Sequence, residues 1–234
     1  MMFFTGLTAT ITSQILAALL LTGIILLGII LTLLSSVFLS KTLLKGIPSS
    51  FILELPPYRK PQIIKVIIRS IFDRTLFVLY RAVYVSVPAG ALIWILANTD
   101  YNSVSLLTHC AQFLDPFAYL IGLDGYILLA FILGFPANEI VIPIIIMSYL
   151  ASGNLTELDS LKSMQQLFIN HGWTSLTAVC VMLFSLAHWP CSTTCLTIRK
   201  ESGSWKWTLV AILLPTLIGF ILCFLTAAVW RLII

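Results

Sequence analysis

Glu139 is the only acid in the apolar run 126–150, and the amide of Asn138 stands beside it. They close the segment Gly134-Phe135-Pro136-Ala137-Asn138-Glu139, with Pro143 one turn further on. Proline at position 143 has no N–H, so the carbonyl of Glu139 loses its helical donor if a helix continues there. A carboxylate, an amide and a free carbonyl then lie within one turn, and an ionisable residue inside a membrane segment is a functional candidate. A second constellation, His188-Trp189-Pro190-Cys191-Ser192-Thr193-Thr194-Cys195, interrupts another apolar stretch. Its imidazole and two thiols are ligand types for Fe²⁺, Zn²⁺ and related metals. His188, Cys191 and Cys195 could supply three ligands, and a four-residue step puts the two cysteines on one helix face. Each feature also has a structural reading. Glu139 can bond exposed N–H groups or a neighbouring helix, and Cys, Ser and Thr let membrane helices pack closely. His109 and His171 read as interfacial histidines.

These residues must be held by membrane helices. Of 234 residues, 59% are hydrophobic and 9% charged, against about a quarter charged in soluble domains. A hydrocarbon core of ~30 Å needs roughly 20 apolar residues per helical span. Stretches near 15–39, 76–97, 126–150, 173–198 and 207–229 approach or meet that length. The expected fold is therefore an all-α membrane protein, with about four spanning helices, one re-entrant or broken helical hairpin and an amphipathic connector helix. The residues before position 15 carry no basic group, and the apolar run after them is too long for a signal sequence, so it reads as a true span. The five cysteines are odd in number and cannot form a complete disulfide framework. They read as reduced, packing or metal-binding thiols.

The domains read as a first transmembrane span over 1–40, a basic connector over 41–75 and a further transmembrane domain over 76–234. In the connector, Pro56-Pro57 favours an extended chain. After Pro61, Ile63, Ile64, Ile67, Ile68, Ile71 and Phe72 fall on one helical face, and Lys65, Arg69 and Asp73 on another. That pattern predicts an amphipathic helix on a membrane surface or on the protein. The loops 41–81 and 199–206 are basic, which places them in the cytoplasm. Segment 98–124 has three acids and no Lys or Arg, and belongs outside as a polar stretch. An odd number of crossings must separate it from 199–206, so one apolar segment enters and returns on the same side. The net-acidic linker 151–172, placed outside, makes 126–150 that hairpin; the reverse choice, with 173–198 re-entrant, needs only a weakly charged cytoplasmic linker. Pro136 and Pro190 each suit the first position of a new half-helix. Broken helices are tolerated at membrane depth where they line a cavity or are buried in protein, and transporters put substrate sites there.

Three stretches carry a family resemblance. Phe51-Ile52-Leu53-Glu54-Leu55-Pro56-Pro57-Tyr58-Arg59, then Pro61, looks like the connector motif of FeoB-type ferrous iron transporters. Leu133 to Val141 is similar to that family's second Gate motif. Pro190-Cys191 with Thr193-Thr194, followed by Ile198 to Trp207, resembles the stretch before its last helix. The matches run in family order over about residues 40–215, and make 76–234 a Gate-type domain. The resemblance implies Fe²⁺ import across the bacterial inner membrane, with Glu139 and Cys191 as the carried-over candidates and Asn138 beside them; Cys195 and His188 complete the expected path. It implies no permanently bound cofactor, with Fe²⁺ as the transported ion and the bilayer as solvent. Family members begin with a G-protein domain and a first Gate repeat, so the resemblance also implies a partner chain carrying both, or a homo-oligomer. Nucleic acid is not expected as a partner. No G-x-x-x-x-G-K-[ST] phosphate loop occurs, so the chain is not expected to be an enzyme. Two other functions fit the composition: a Gate-type transporter of another solute such as a nucleoside, and a membrane scaffold that transports nothing.

Overall fold

The computed structural model describes residues 11–42, 62–155, 158 and 160–233. The Phe51–Arg59 connector motif lies outside them. The described residues are mostly helical. Helix α1 (Ile11–Thr42) is a long apolar rod. Helix α2 (Ile63–Ser70) is amphipathic as expected, with Ile64, Ile67 and Ile68 exposed. A π-helical turn, Ile71–Leu76, carries it without interruption into α3 (Phe77–Asn98). A two-stranded hairpin follows, β1 (Asp100–Tyr101) antiparallel to β2 (Val104–Ser105), turning on Asn102 and Ser103 at positive φ.

The remainder is two successive units of similar layout. The first is α4 (Leu106–Leu120), α5 (Gly125–Leu133), a break, and α6 (Val141–Leu150). The second is α7 (Leu161–Asn170), α8 (Ser175–Leu186), a break, and α9 (Ser192–Ser202). Helix α10 (Trp205–Ile233) closes the fold. In each unit the leading helix turns sharply into the next, by 107° between α4 and α5 and by 111° between α7 and α8. A glycine at positive φ makes each turn, Gly122 and Gly172, and a side-chain cap two residues later starts the new helix. Asp124 accepts from the Ile127 N–H at 2.7 Å, and Thr174 forms a capping box with Thr177.

The segments 98–124 and 151–172 are thus more than polar stretches. Each holds a helix because its apolar residues repeat at helical spacing: Leu107, Ala111 and Ala118 are buried in α4, and Met164, Leu167 and Phe168 pack on the core from α7. The close seat of α4 on α5 depends on Gly125, where a Cβ would stand 1.9 Å from the Ala111 carbonyl oxygen.

Two ends of the bundle can be told apart. At one, called the base, Asp124 starts α5, Tyr149 ends α6 and Trp173 precedes α8. The Tyr149 hydroxyl donates to Asp124, and the Trp173 indole N–H donates to that hydroxyl at 2.8 Å. Both ends of the 126–150 segment therefore lie together, so this segment folds as a helical hairpin. Arg231 near the end of α10 donates to the Tyr119 carbonyl and stacks on its ring, which brings that terminus to the base as well. At the other end, Arg81 near the start of α3 meets α9 through Thr193 and Thr197. The pair α8–α9 runs from one end to the other.

Among the described residues three helices, α1, α3 and α10, are long and apolar enough to span a membrane, and up to five spans result if each bent pair counts as one. The buried core sits in α4, α5, α6 and α8, with Cys223 and Ala227 of α10. α1 and α3 bury only 6% of their most apolar windows, so their apolar residues face outward.

Candidate functional site

The first break follows from local chemistry. Helix α5 ends at Gly134, whose N–H still reaches the Ala130 carbonyl at 2.8 Å. Pro136 supplies no donor, and the chain leaves helical geometry. The new helix begins later than the proline rule predicts. A short 3₁₀ turn, Asn138–Ile140, precedes α6, because Ala137 is extended (φ −153°, ψ 118°). Glu139 sits in that 3₁₀ turn and is exposed, and Asn138 is half-buried. Pro143 falls in the first turn of α6, where its missing N–H leaves the helix unkinked.

The second break has the same design. Helix α8 ends at Leu186, and Pro190 precedes α9 by two residues instead of opening it, because Cys191 takes the N-cap place. The Cys191 thiol lies 3.1 Å from the hydroxyl oxygens of both Thr193 and Thr194. Cys195 is buried, with its thiol directed at the Pro190 carbonyl at 3.4 Å. His188 Nδ1 lies 2.9 Å from the Ser185 carbonyl, an acceptor, so the ring donates there and Nε2 keeps a lone pair. That Nε2 is buried and has no hydrogen-bond partner among the described residues. The ring stands among Phe131, Phe184 and Trp189, with centroids 5.2, 6.1 and 6.0 Å away.

The fold brings the two breaks into contact. The backbone N–H of Ser192, first residue of α9, donates to the Phe135 carbonyl at 2.8 Å, and its hydroxyl to the Pro136 carbonyl at 3.4 Å. The start of α9 therefore caps the tip of the α5–α6 hairpin. Helix α10 presses on the same place. At Gly219 an added Cβ would stand 2.3 Å from the Ala187 carbonyl oxygen, so only glycine lets the helix approach the second break so closely.

The five expected residues thus lie on two breaks that touch, but they do not form one ligand sphere. Among the described residues no three His, Cys, Asp or Glu side chains gather closely enough to hold a metal ion. The three-ligand set read from the spacing of His188, Cys191 and Cys195 is not assembled: Nδ1 of the imidazole is engaged with Ser185 and the Cys195 thiol with Pro190. Ser192 was not expected as a site residue, although it lies in the quoted stretch. Its only sequence signal is a small polar side chain two residues after a proline.

Comparison with known proteins adds a second line of evidence. Residues 79–205, more than half of the chain, match the Gate family, described as nucleoside recognition. Residues 21–74 match the family of the ferrous iron transport protein B C terminus. The chain is 30% identical over 200 residues to the Fe(2+) transporter FeoB of Staphylococcus aureus strain MSSA476, covering 82% of this chain and 28% of that protein. It is 26% identical over 215 residues to the Fe(2+) transporter FeoB of Methanocaldococcus jannaschii, covering 86% and 30%. It is also 26% identical over 222 residues to that of Leptospira interrogans serovar Lai, covering 86% and 32%. The chain therefore spans about a third or less of the length of the relatives it matches. No solved structure matches it.

Proposed function

Because the chain belongs to the Gate family and carries ahead of that domain the C-terminal region of ferrous iron transport protein B, we propose that it is a permease component for ferrous iron uptake. Its pathway runs past the contact between the two breaks. The observation that carries this reading is the Ser192–Phe135 hydrogen bond, which joins the two breaks, each an apolar run interrupted by polar side chains.

Each residue has a distinct part. Glu139 is the exposed acid at the hairpin tip and draws the cation to the break, with the Asn138 amide as a neutral oxygen ligand. Cys191 offers a half-exposed thiol at a helix start. The lone pair of His188 Nε2 is a nitrogen ligand that needs a partner. Cys195 packs behind Cys191. Because these groups do not surround one ion together, Fe²⁺ passes between partial sites, or a second protein surface completes them. The outward apolar faces of α1 and α3 support the second route: a partner with the GTPase domain and first Gate repeat, or another copy of this chain. The description of the Gate family keeps a nucleoside substrate in view, but the relatives named above are Fe(2+) transporters. The proposed location is the bacterial inner membrane, with the Arg81 end in the cytoplasm by the excess of Lys and Arg there.

The test is Fe²⁺ uptake in an iron-import-deficient bacterium, with the chain expressed alone and beside a candidate partner. Uptake that needs the partner and falls at least roughly tenfold in Glu139→Ala or Cys191→Ser is expected, the loss of a ligand contact of about 1.4 kcal/mol or more. Undiminished uptake in both variants would remove the breaks from the pathway. No uptake in any combination, with the protein present in the membrane, would favour a scaffold.

A further inference from the structure

We propose that Arg81 is a positioning residue: from α3 it holds the start of α9, and so sets the seat of Ser192 on the hairpin tip and the exposure of Cys191. Its bearing on uptake rests on the pathway proposed above; its bearing on α9 does not. Helix α9 starts straight after the non-helical stretch at Pro190 and Cys191, so the preceding helix does not fix its direction. Its first residues are held from two sides instead. Ser192 donates to the Phe135 and Pro136 carbonyls. Arg81 Nη1 donates to the Thr193 carbonyl at 3.3 Å and to the Thr197 hydroxyl at 2.6 Å. That hydroxyl in turn donates to the Thr193 carbonyl at 2.9 Å, so guanidinium, hydroxyl and carbonyl form one closed set.

The bland explanation does not cover this placement. An arginine near the end of a spanning helix ordinarily runs its charge out to the interface. Arg81 is half-buried and turns to a neighbouring helix instead. It also stands beside the start of α9, the positive end of that helix's dipole, where a cation is disfavoured. Hydrogen bonds from an ionised donor are roughly twice as strong as neutral ones, and these offset the misplaced charge. What the placement secures is the second break.

Apolar packing contributes little to this contact, since α3 buries only 6% of its most apolar window. Helix α3 also continues without interruption from amphipathic α2 and the π-helical turn Ile71–Leu76. Single π-helical turns joined to α-helices are frequent at functional sites. A displacement of α2 therefore runs along one continuous helix to Arg81, and from there to Thr193 and the hairpin tip. The guanidinium carries the same sign of charge as a metal cation, so it acts through α9 and not as a ligand.

Alkylation of Cys191 by N-ethylmaleimide tests this, in the full chain in a nonionic detergent, with the rate read at that residue by peptide mass spectrometry. Arg81→Gln is expected to raise the rate about fivefold or more, the lower end of couplings between sites. Thr197→Val leaves Arg81 intact and should raise it similarly; should Arg81→Gln fail to fold, this variant reads the same bond by itself. The double variant should do no more than either single one, since both remove one set of bonds. Arg81→Lys keeps the charge and a donor, and should restore most of the parent rate. Lys206→Gln removes a charge at the same end of the bundle and should leave the rate unchanged. In the uptake assay, Arg81→Gln should lower the maximal rate and leave the half-saturating Fe²⁺ concentration unchanged. An unchanged Cys191 rate in Arg81→Gln and Thr197→Val, multiplying effects in the double variant, or an equal change in Lys206→Gln would each overturn the proposal. A raised Cys191 rate with undiminished uptake would support the positioning of α9 and count against the proposed pathway instead.

Discussion

At the residue scale, the strongest polar arrangement lies away from the breaks. Asp124, Tyr149 and Trp173 form a chain of hydrogen bonds at the hairpin base, roofed by His171, whose ring stacks on Tyr149 at 4.3 Å, and by Phe168, stacked on Trp173 at 4.3 Å. One carboxylate does two jobs, capping α5 and holding the end of α6. Tyr149→Phe removes the hydroxyl that donates to Asp124 and accepts from the indole N–H, so it should cost about 1–3 kcal/mol. Asp124→Ala should cost about 0.5–2 kcal/mol through the lost cap alone. Because the two groups share one bond, the double variant should cost less than the sum. Unfolding of the three variants in detergent micelles, followed by circular dichroism, measures this. Additive losses would mean the bond contributes nothing. Sequence reading missed this chain of bonds, because Asp124, Tyr149 and Trp173 are far apart in order and each has an ordinary interfacial role by itself.

At the element scale, the breaks depend on how closely whole helices approach. α10 can press on the second break only because position 219 has no side chain. Gly219→Ala should therefore cost about 1–3 kcal/mol and lower uptake, since a backbone carbonyl cannot rotate away as a side chain does. Two other glycines serve as comparisons. At Gly28 the nearest atom is Leu186 Cδ1 at 2.8 Å, the end of a flexible side chain, so alanine should be mild there. At Gly23 nothing lies within 4 Å, and alanine should be neutral or stabilising through its helix propensity. Thermal unfolding and uptake of the three variants should rank them in this order. Equal effects at 219 and 23 would remove the close approach as a cause. The same scale explains the two corrected helix starts. The sequence places Pro136 and Pro190 at the first turn, but the extended Ala137 and the Cys191 N-cap delay both helices.

At the scale of the whole molecule, the hairpin sets the topology. α5 and α6 leave from and return to the base, whereas α8 and α9 continue through to the basic end. Single cysteines introduced at Leu150 and Ser175, in a chain whose native thiols are replaced, should react with a membrane-impermeant maleimide from the same side. A cysteine at Ser202 should react from the opposite side. Labelling of positions 150 and 202 from one side would make 173–198 the re-entrant segment instead. The bundle also leaves two of its long helices nearly bare. A surface of that kind is satisfied by lipid or by other helices in a membrane, and uptake with and without a partner separates the two.

The sequence by itself determined what is local or cumulative. Composition and apolar run length require a membrane protein, helical spacing yields α2 and the spans, and proline with glycine marks both breaks before any packing is known. The motifs around Glu139 and Cys191 pointed to the family for the same reason, since each is a contiguous string. Tertiary structure alone decided what depends on distant parts of the chain meeting. It brought Ser192 onto Phe135, closed the hairpin through Asp124 and Tyr149, and fixed Arg81 against Thr197. It also kept His188, Cys191 and Cys195 from forming one ligand sphere, although their spacing permits it. Spacing along a chain constrains direction only within a continuous helix, and Pro190 ends that continuity between the imidazole and the thiols.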